Sequence, residues 1–192
     1  MSLALPPELS TDDGHHLRWF VLDDAEAIAE AVRESLDHLK PWMPWANVQS
    51  ADAGFQRGRL RAQPRQRERD EEWQYGLFTA DENQLLGAFG VMTRRGPRSL
   101  EIGYWLHVDA GGRGYATNAA RALTTAGLGV DGIERMFIVC DEANDRSAAI
   151  PRRLGYALTR VEERVPEAPA ETGRMQMWTA ERAGWTGRAT TA

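Results

Sequence analysis

The 192-residue chain has a single cysteine, Cys140, and a single lysine, Lys40, although 23 of its residues are Lys or Arg. One cysteine excludes an internal disulfide and any multi-cysteine metal site. One lysine leaves almost no room for a catalytic lysine, and the bias toward arginine reads as codon usage rather than function. His15, His16 and His38 have no metal-ligand spacing, and no Ser-His-Asp or Cys-His arrangement stands out, so no metal is expected. No apolar run approaches the ~18–20 residues of a membrane span. Residues 1–11 lack the basic start and apolar run of a signal peptide. A cytoplasmic protein without membrane contact is the default expectation. The net charge of −5 argues against broad nucleic-acid binding and favours cationic partners, amines among them.

What is present is globular in balance, 42% hydrophobic and 27% charged, in a length that suits one α/β domain. Residues 1–14, with Pro6, Pro7 and Gly14 and no periodicity, read as a tail. Residues 186–192 read as a second tail, and 15–185 as a single domain without repeats. Residues 16–22 read as a strand. Asp23 with Glu26 resembles a capping box ahead of a helix whose Ile28, Val32 and Leu36 form a buried stripe. Pro41 and Pro44 break that helix around Trp42, Met43 and Trp45. A second helix over 50–70 is rich in arginine, from Arg57 to Arg69. It reads as a solvated face, with a patch for an anionic partner as the second reading, and Pro64 is expected to end or kink it. Strands follow at 73–79, 85–92 and 100–108, then a glycine turn, a helix over 115–128, and a short apolar strand at 135–140. A helix after Asn144 and two last strands, from Tyr156 and around 175–178, complete the order.

A strand leading into Gly111-Gly112-Arg113-Gly114 and then a helix makes a phosphate site in physical principle. Glycines let the backbone approach an anion, and free N–H groups and the macrodipole face it at the helix start. A Walker loop is excluded because GK[ST] is absent. A dinucleotide fingerprint fits poorly, because Gly112-x-Gly114 continues to Thr117 and the preceding strands look antiparallel.

From Glu101-Ile102-Gly103-Tyr104-Trp105-Leu106 through Gly112-Arg113-Gly114-Tyr115-Ala116-Thr117, the chain resembles the GCN5-related N-acetyltransferases, the GNAT family, and within it the RimJ/RimL-like branch. The family signature Gln/Arg-x-x-Gly-x-Gly/Ala maps to residues 111–116, with Gly111 where Gln or Arg is usual. Leu17-Arg18, Asp23-Asp24-Ala25 and Trp42-Met43-Pro44-Trp45 are similar to the branch's N-terminal landmarks. Asn144-Asp145-Arg146-Ser147 with Leu154-Gly155-Tyr156 is similar to its second cofactor motif. The resemblance covers about residues 16–180.

It implies an α/β (α+β) fold: a mixed, mostly antiparallel twisted sheet flanked by helices and splayed between the fourth and fifth strands. It implies acetyl-CoA as co-substrate and a primary amine as acceptor, either a protein N-terminus or a small molecule. Pantetheine would run along Leu106, His107 and Val108, with a backbone N–H near Val108 on the thioester oxygen. The N–H groups of Gly111, Gly112, Arg113, Gly114, Tyr115, Ala116 and Thr117 would hold the pyrophosphate, with Asn144, Ser147, Arg113 and Arg153 as further contacts. Glu101 is the candidate base, with an exposed strand carboxylate as the other reading, and it would also face the acceptor beside Trp42 and Trp45. The Tyr that many members use as the acid is replaced here by Pro151, which leaves Ser147 as the nearest replacement, with helix capping as its other role. His107 is an alternative base or a side chain on the far sheet face. A homodimer through the C-terminal strands is a further expectation. A non-catalytic acyl-CoA sensor is the alternative function.

Overall fold

The computed structural model describes residues 3–187. Eight strands form one sheet in the order β1-β2-β3-β4-β5-β6-β8-β7. They are β1 Glu8–Ser10, β2 His16–Trp19, β3 Glu72–Phe78, β4 Leu85–Met92, β5 Ser99–Leu106, β6 Arg135–Asp141, β7 Ala157–Glu163 and β8 Arg174–Glu181. All neighbours are antiparallel except β5 and β6. Helices α1 Ala25–Leu39 and α2 Ala53–Glu68 cover one face, and α3 Tyr115–Gly129 and α4 Asp145–Arg153 the other. The expected mixed, mostly antiparallel sheet is therefore observed. No helix among the described residues is long and apolar enough to cross a membrane.

The segment expected as an N-terminal tail is instead part of the sheet. Glu8–Ser10 pairs with β2, Leu5 is buried, and the Tyr75 hydroxyl donates to the Pro6 carbonyl at 2.7 Å. Three residues are too few to show a period of two, so alternation could not reveal this strand. The splay therefore falls between the fifth and sixth strands when all are counted. Of the expected C-terminal tail, residues 188–192 lie outside the described residues.

The caps also differ from expectation. Asp24, not Asp23, is the N-cap residue of α1, and its side chain serves the preceding turn instead of the helix. Its carboxylate accepts from the Val21 N–H at 2.7 Å and from Arg18 at 2.8 and 2.9 Å, while Glu26 pairs with Arg57. Pro64 does not end α2, which runs on to Glu68 at the loss of one i→i−4 bond. Pro151 likewise sits inside α4, which ends two residues later. Two arginines of α2 have partners within the fold. Arg57 pairs with Glu26, and Arg67 lies over the Trp19 ring at 4.5 Å.

Candidate functional site

β5 and β6 pair for four residues, Ser99↔Arg135 to Ile102↔Ile138, and then separate while both strands continue. The His107 N–H donates back to the Leu86 carbonyl at 2.9 Å. Backbone polar groups alternate sides along a strand, so those of Leu106 and Tyr104 point into the gap. A ligand chain could pair there as an extra strand. His107 and Val108 contribute less than the sequence implied. The Val108 N–H, expected on the thioester oxygen, donates to Ser35 Oγ at 3.0 Å. His107 is buried with both ring nitrogens engaged: Nδ1 accepts from the Asp109 N–H at 3.2 Å, and Nε2 meets Glu34 at 2.7 Å. It is therefore not placed to act as a base.

Below the gap, Gly112 (φ 77°) and Gly114 (φ 85°) are left-handed, whereas Gly111 is extended. A Cβ on either left-handed glycine would meet no protein atom within 4 Å. The demand for glycine there is conformational, not a matter of packing. Gly114 is the N-cap of α3 and supplies no side-chain cap, so the first N–H groups of the helix, at Tyr115, Ala116 and Thr117, are open to an anion. Arg113 and Arg153 stand exposed and, among the described residues, form no ion pair.

On the far side of the gap, the Asn144 side chain caps α4 by accepting from the Ser147 N–H at 3.1 Å. Ser147 Oγ lies 3.0 Å from the Tyr104 hydroxyl, which also reaches the Ser147 carbonyl at 3.2 Å. Burial pushes the Tyr104 phenol up, so it keeps its proton and can donate. No sequence motif marks Tyr104 for a role of its own. The signal was strand alternation, which turns it away from Glu101 and Gly103 toward α4. Burial also pushes the Cys140 thiol up to about 11, consistent with packing rather than nucleophilic attack.

The gap opens into a cavity of about 590 Å³ between the sheet and the α1–α2 segment. Gly90 and Gly103 face each other across β4 and β5 and put no side chain into its floor. Trp42 and Trp45 form part of its wall, with Trp45 tilted against Trp105 at 6.1 Å between ring centroids. The β7–β8 loop closes one side, where the Ala170 N–H donates to the Pro41 carbonyl at 2.9 Å.

Five carboxylates line this chamber and each is engaged. Glu101 lies on the expected face, only 2% exposed, with one oxygen accepting from Arg94 and the other from Arg95. The free carboxylate expected of a base is therefore clamped instead. The Arg94-Arg95 pair lies just past the end of β4, and its chemistry was not read from the sequence. Glu72 accepts from Gln74 and Gln66, Glu167 stands 4.0 Å from Arg164, and Glu171 accepts from Arg164 at 2.7 Å. Asp141 accepts from the N–H groups of Ala143, Thr172 and Gly173, each at 2.9 Å.

Burial pushes the Asp141 carboxyl up, but those bonds outweigh it and hold it below the ordinary 3.8. A depressed pKa in the fold gives stabilisation that is complete above pH 3.8 and is lost as the pH falls through the lowered value. Asp141→Ala, which leaves these donors unanswered, is expected to lose ~2–4 kcal/mol at neutral pH. The difference in Tm between wild type and variant should shrink in melts taken below pH 3.8.

His16 was read as having no metal spacing. In the fold its ring stands with the carboxylates of Glu8 and Glu82, their ligand atoms within 4.8 Å of one another at the sheet edge. Glu82 there already accepts from Arg18 at 3.0 Å.

A splayed parallel pair, a left-handed glycine turn at an uncapped helix and a chamber on the opposite sheet face together define an acyltransferase architecture. Residues 16–157 match the family model described as the acetyltransferase (GNAT) domain. The chain belongs to the GNAT family of acetyltransferases and is similar to its RimJ/RimL-like members. YdaF of Bacillus subtilis (strain 168), which carries the name of a ribosomal N-acetyltransferase, is 27% identical over 134 residues, covering 69% of this chain and 72% of its own. RimJ of Mycobacterium smegmatis, solved with a CoA disulfide, shares the fold at TM-score 0.85 and 17% identity, covering 98% of this chain and 93% of its own. RimL, a ribosomal-protein α-N-acetyltransferase solved with coenzyme A, matches at TM-score 0.80 and 20% identity, over 91% of this chain and 97% of its own.

Proposed function

We propose that the chain moves the acetyl group of acetyl-CoA to the α-amine of a peptide. The observation that carries this reading is the uncapped start of α3 behind Gly112 and Gly114, next to a strand gap that leads into an aromatic-walled chamber. The residues fit the co-substrate. The α3 N–H groups suit a pyrophosphate, and the gap edge of Tyr104 and Leu106 suits an amide-bearing arm. Acetyl-CoA supplies the acyl group as an activated thioester. The names of YdaF and RimL, which refer to ribosomal N-acetyltransferase and ribosomal-protein α-N-acetyltransferase activity, point toward a peptide acceptor here.

In this mechanism the amine nitrogen forms the new C–N bond as the C–S bond breaks, and its proton leaves to water. Ser147 O–H donates to the departing sulfur, while Tyr104 O–H donates to Ser147 Oγ and strengthens that donor. Trp42 and Trp45 wall the acceptor. Glu101 acts as a positioning residue that holds Arg94 and Arg95. With every chamber carboxylate engaged, the site suits an amine that is already partly neutral. An α-amine titrates near ~8, a lysine near ~10.4.

The pH profile tests this. In acetyl-CoA-dependent thiol release, kcat/KM should rise about tenfold per pH unit and level off near the acceptor's own pKa of ~8. Glu101→Gln should leave that limb in place and raise the acceptor KM. An acidic limb that is independent of the acceptor and vanishes in Glu101→Gln would make Glu101 the base.

A further inference from the structure

The chamber's carboxylates are engaged, but its cations are not all balanced. Arg59 of α2 donates to Gln56 Oε1 at 3.3 Å and, among the described residues, has no carboxylate at ion-pair distance. Glu72 acts on it only at longer range, and loss of solvent around the guanidinium pulls its pKa down. The residue nevertheless stays exposed on the chamber side, and among the described residues no carboxylate answers its charge. Arg94 gives one amino group to Glu101, yet its side chain stays 58% exposed in the same chamber wall. The lining as a whole holds four arginines against five carboxylates, so Arg59 is a local guanidinium without a carboxylate partner, not part of a positive chamber. A guanidinium fork without a carboxylate partner in a ligand cavity complements a carboxylate or a phosphate, and weakly polar walls such as Trp42 and Trp45 strengthen that attraction.

We propose that Arg59, seconded by Arg94, binds an anionic group carried by the acceptor itself. The acceptors are then amines with a carboxylate or phosphate close to the reacting nitrogen, such as peptide N-termini with an acidic residue among the first few. A polycationic amine without an anionic group gains nothing from Arg59. This rests on the acyl-transfer reading of the chamber and narrows it.

The test uses peptides identical except for Ala, Asp or phosphoserine at the second position, together with spermidine. Two readouts are taken: thiol release from acetyl-CoA, and quenching of tryptophan fluorescence on binding to the CoA-loaded protein. Asp or phosphoserine should lower KM and Kd about tenfold or more relative to Ala, and which of the two does so identifies carboxylate or phosphate as the natural group. Spermidine, which offers Arg59 no anionic group, should be used equally by wild type and Arg59→Gln. Arg59→Gln should abolish the preference and Arg59→Lys partly restore it, with the Kd for acetyl-CoA unchanged in both. Equal constants for the Ala and acidic peptides, or a preference that survives in Arg59→Gln, would overturn the inference while thiol release still upheld acyl transfer. An Arg59-dependent binding preference without thiol release would instead uphold the anion site and remove the transfer reading.

Discussion

Ser147→Ala is expected to lower kcat about 100-fold with little change in the Kd for acetyl-CoA. The reason is local. Pro151 occupies the position where the family resemblance implies a tyrosine acid, so in the proposed reaction the leaving sulfur takes another donor. Ser147 Oγ stands in the first turn of α4, 3.0 Å from the Tyr104 hydroxyl. Loss of a positioned acid lowers the rate ~10²–10⁴-fold, and water can replace part of it in an open chamber, which favours the lower end. Tyr104→Phe, which keeps the ring and removes only the hydroxyl, is expected to lower kcat about tenfold. The double variant should be no slower than Ser147→Ala alone, because Tyr104 acts only through Ser147. Multiplying losses in the double variant would separate the two residues and disprove the relay.

Gly114→Val is expected to weaken acetyl-CoA binding at least tenfold while the fold persists. A left-handed backbone costs an ordinary L-residue ~1–2 kcal/mol, and a β-branched residue more. At φ 85° the valine must either bear that strain or turn the Gly114 peptide away from its helix. In either case the N–H cradle at the start of α3 loses its alignment. The new side chain would meet no protein atom within 4 Å at its Cβ, so backbone strain acts without a packing clash. Calorimetric titration with CoA, paired with a thermal melt, separates these effects. Unchanged CoA affinity in a well-folded Gly114→Val would show that the pyrophosphate lies elsewhere.

The glycine turn was legible because its chemistry is local: two left-handed positions and a helix start within a few residues. The strands and helices were legible for the same reason, through period and punctuation. What escaped depends on pairing between distant segments. Glu8–Ser10 is a strand only because β2 lies beside it. Glu101 was placed on the correct face, but its clamping by Arg94 and Arg95 is a property of how the chain turns after β4. The Tyr104–Ser147 contact joins residues 43 positions apart. Arg59 looked like any other arginine of a solvated helix, and only the cavity beneath α2 distinguishes it from Arg57, which Glu26 answers.

The most direct measurement of the central claim is mass spectrometry of a peptide panel incubated with the protein and acetyl-CoA. One acetyl group should be gained on the α-amine, with release of an equal amount of CoA thiol, and none when acetyl-CoA is replaced by CoA. Tight CoA binding with no acetylated product on any peptide or small amine would contradict it and leave an acyl-CoA-binding module in place of an enzyme.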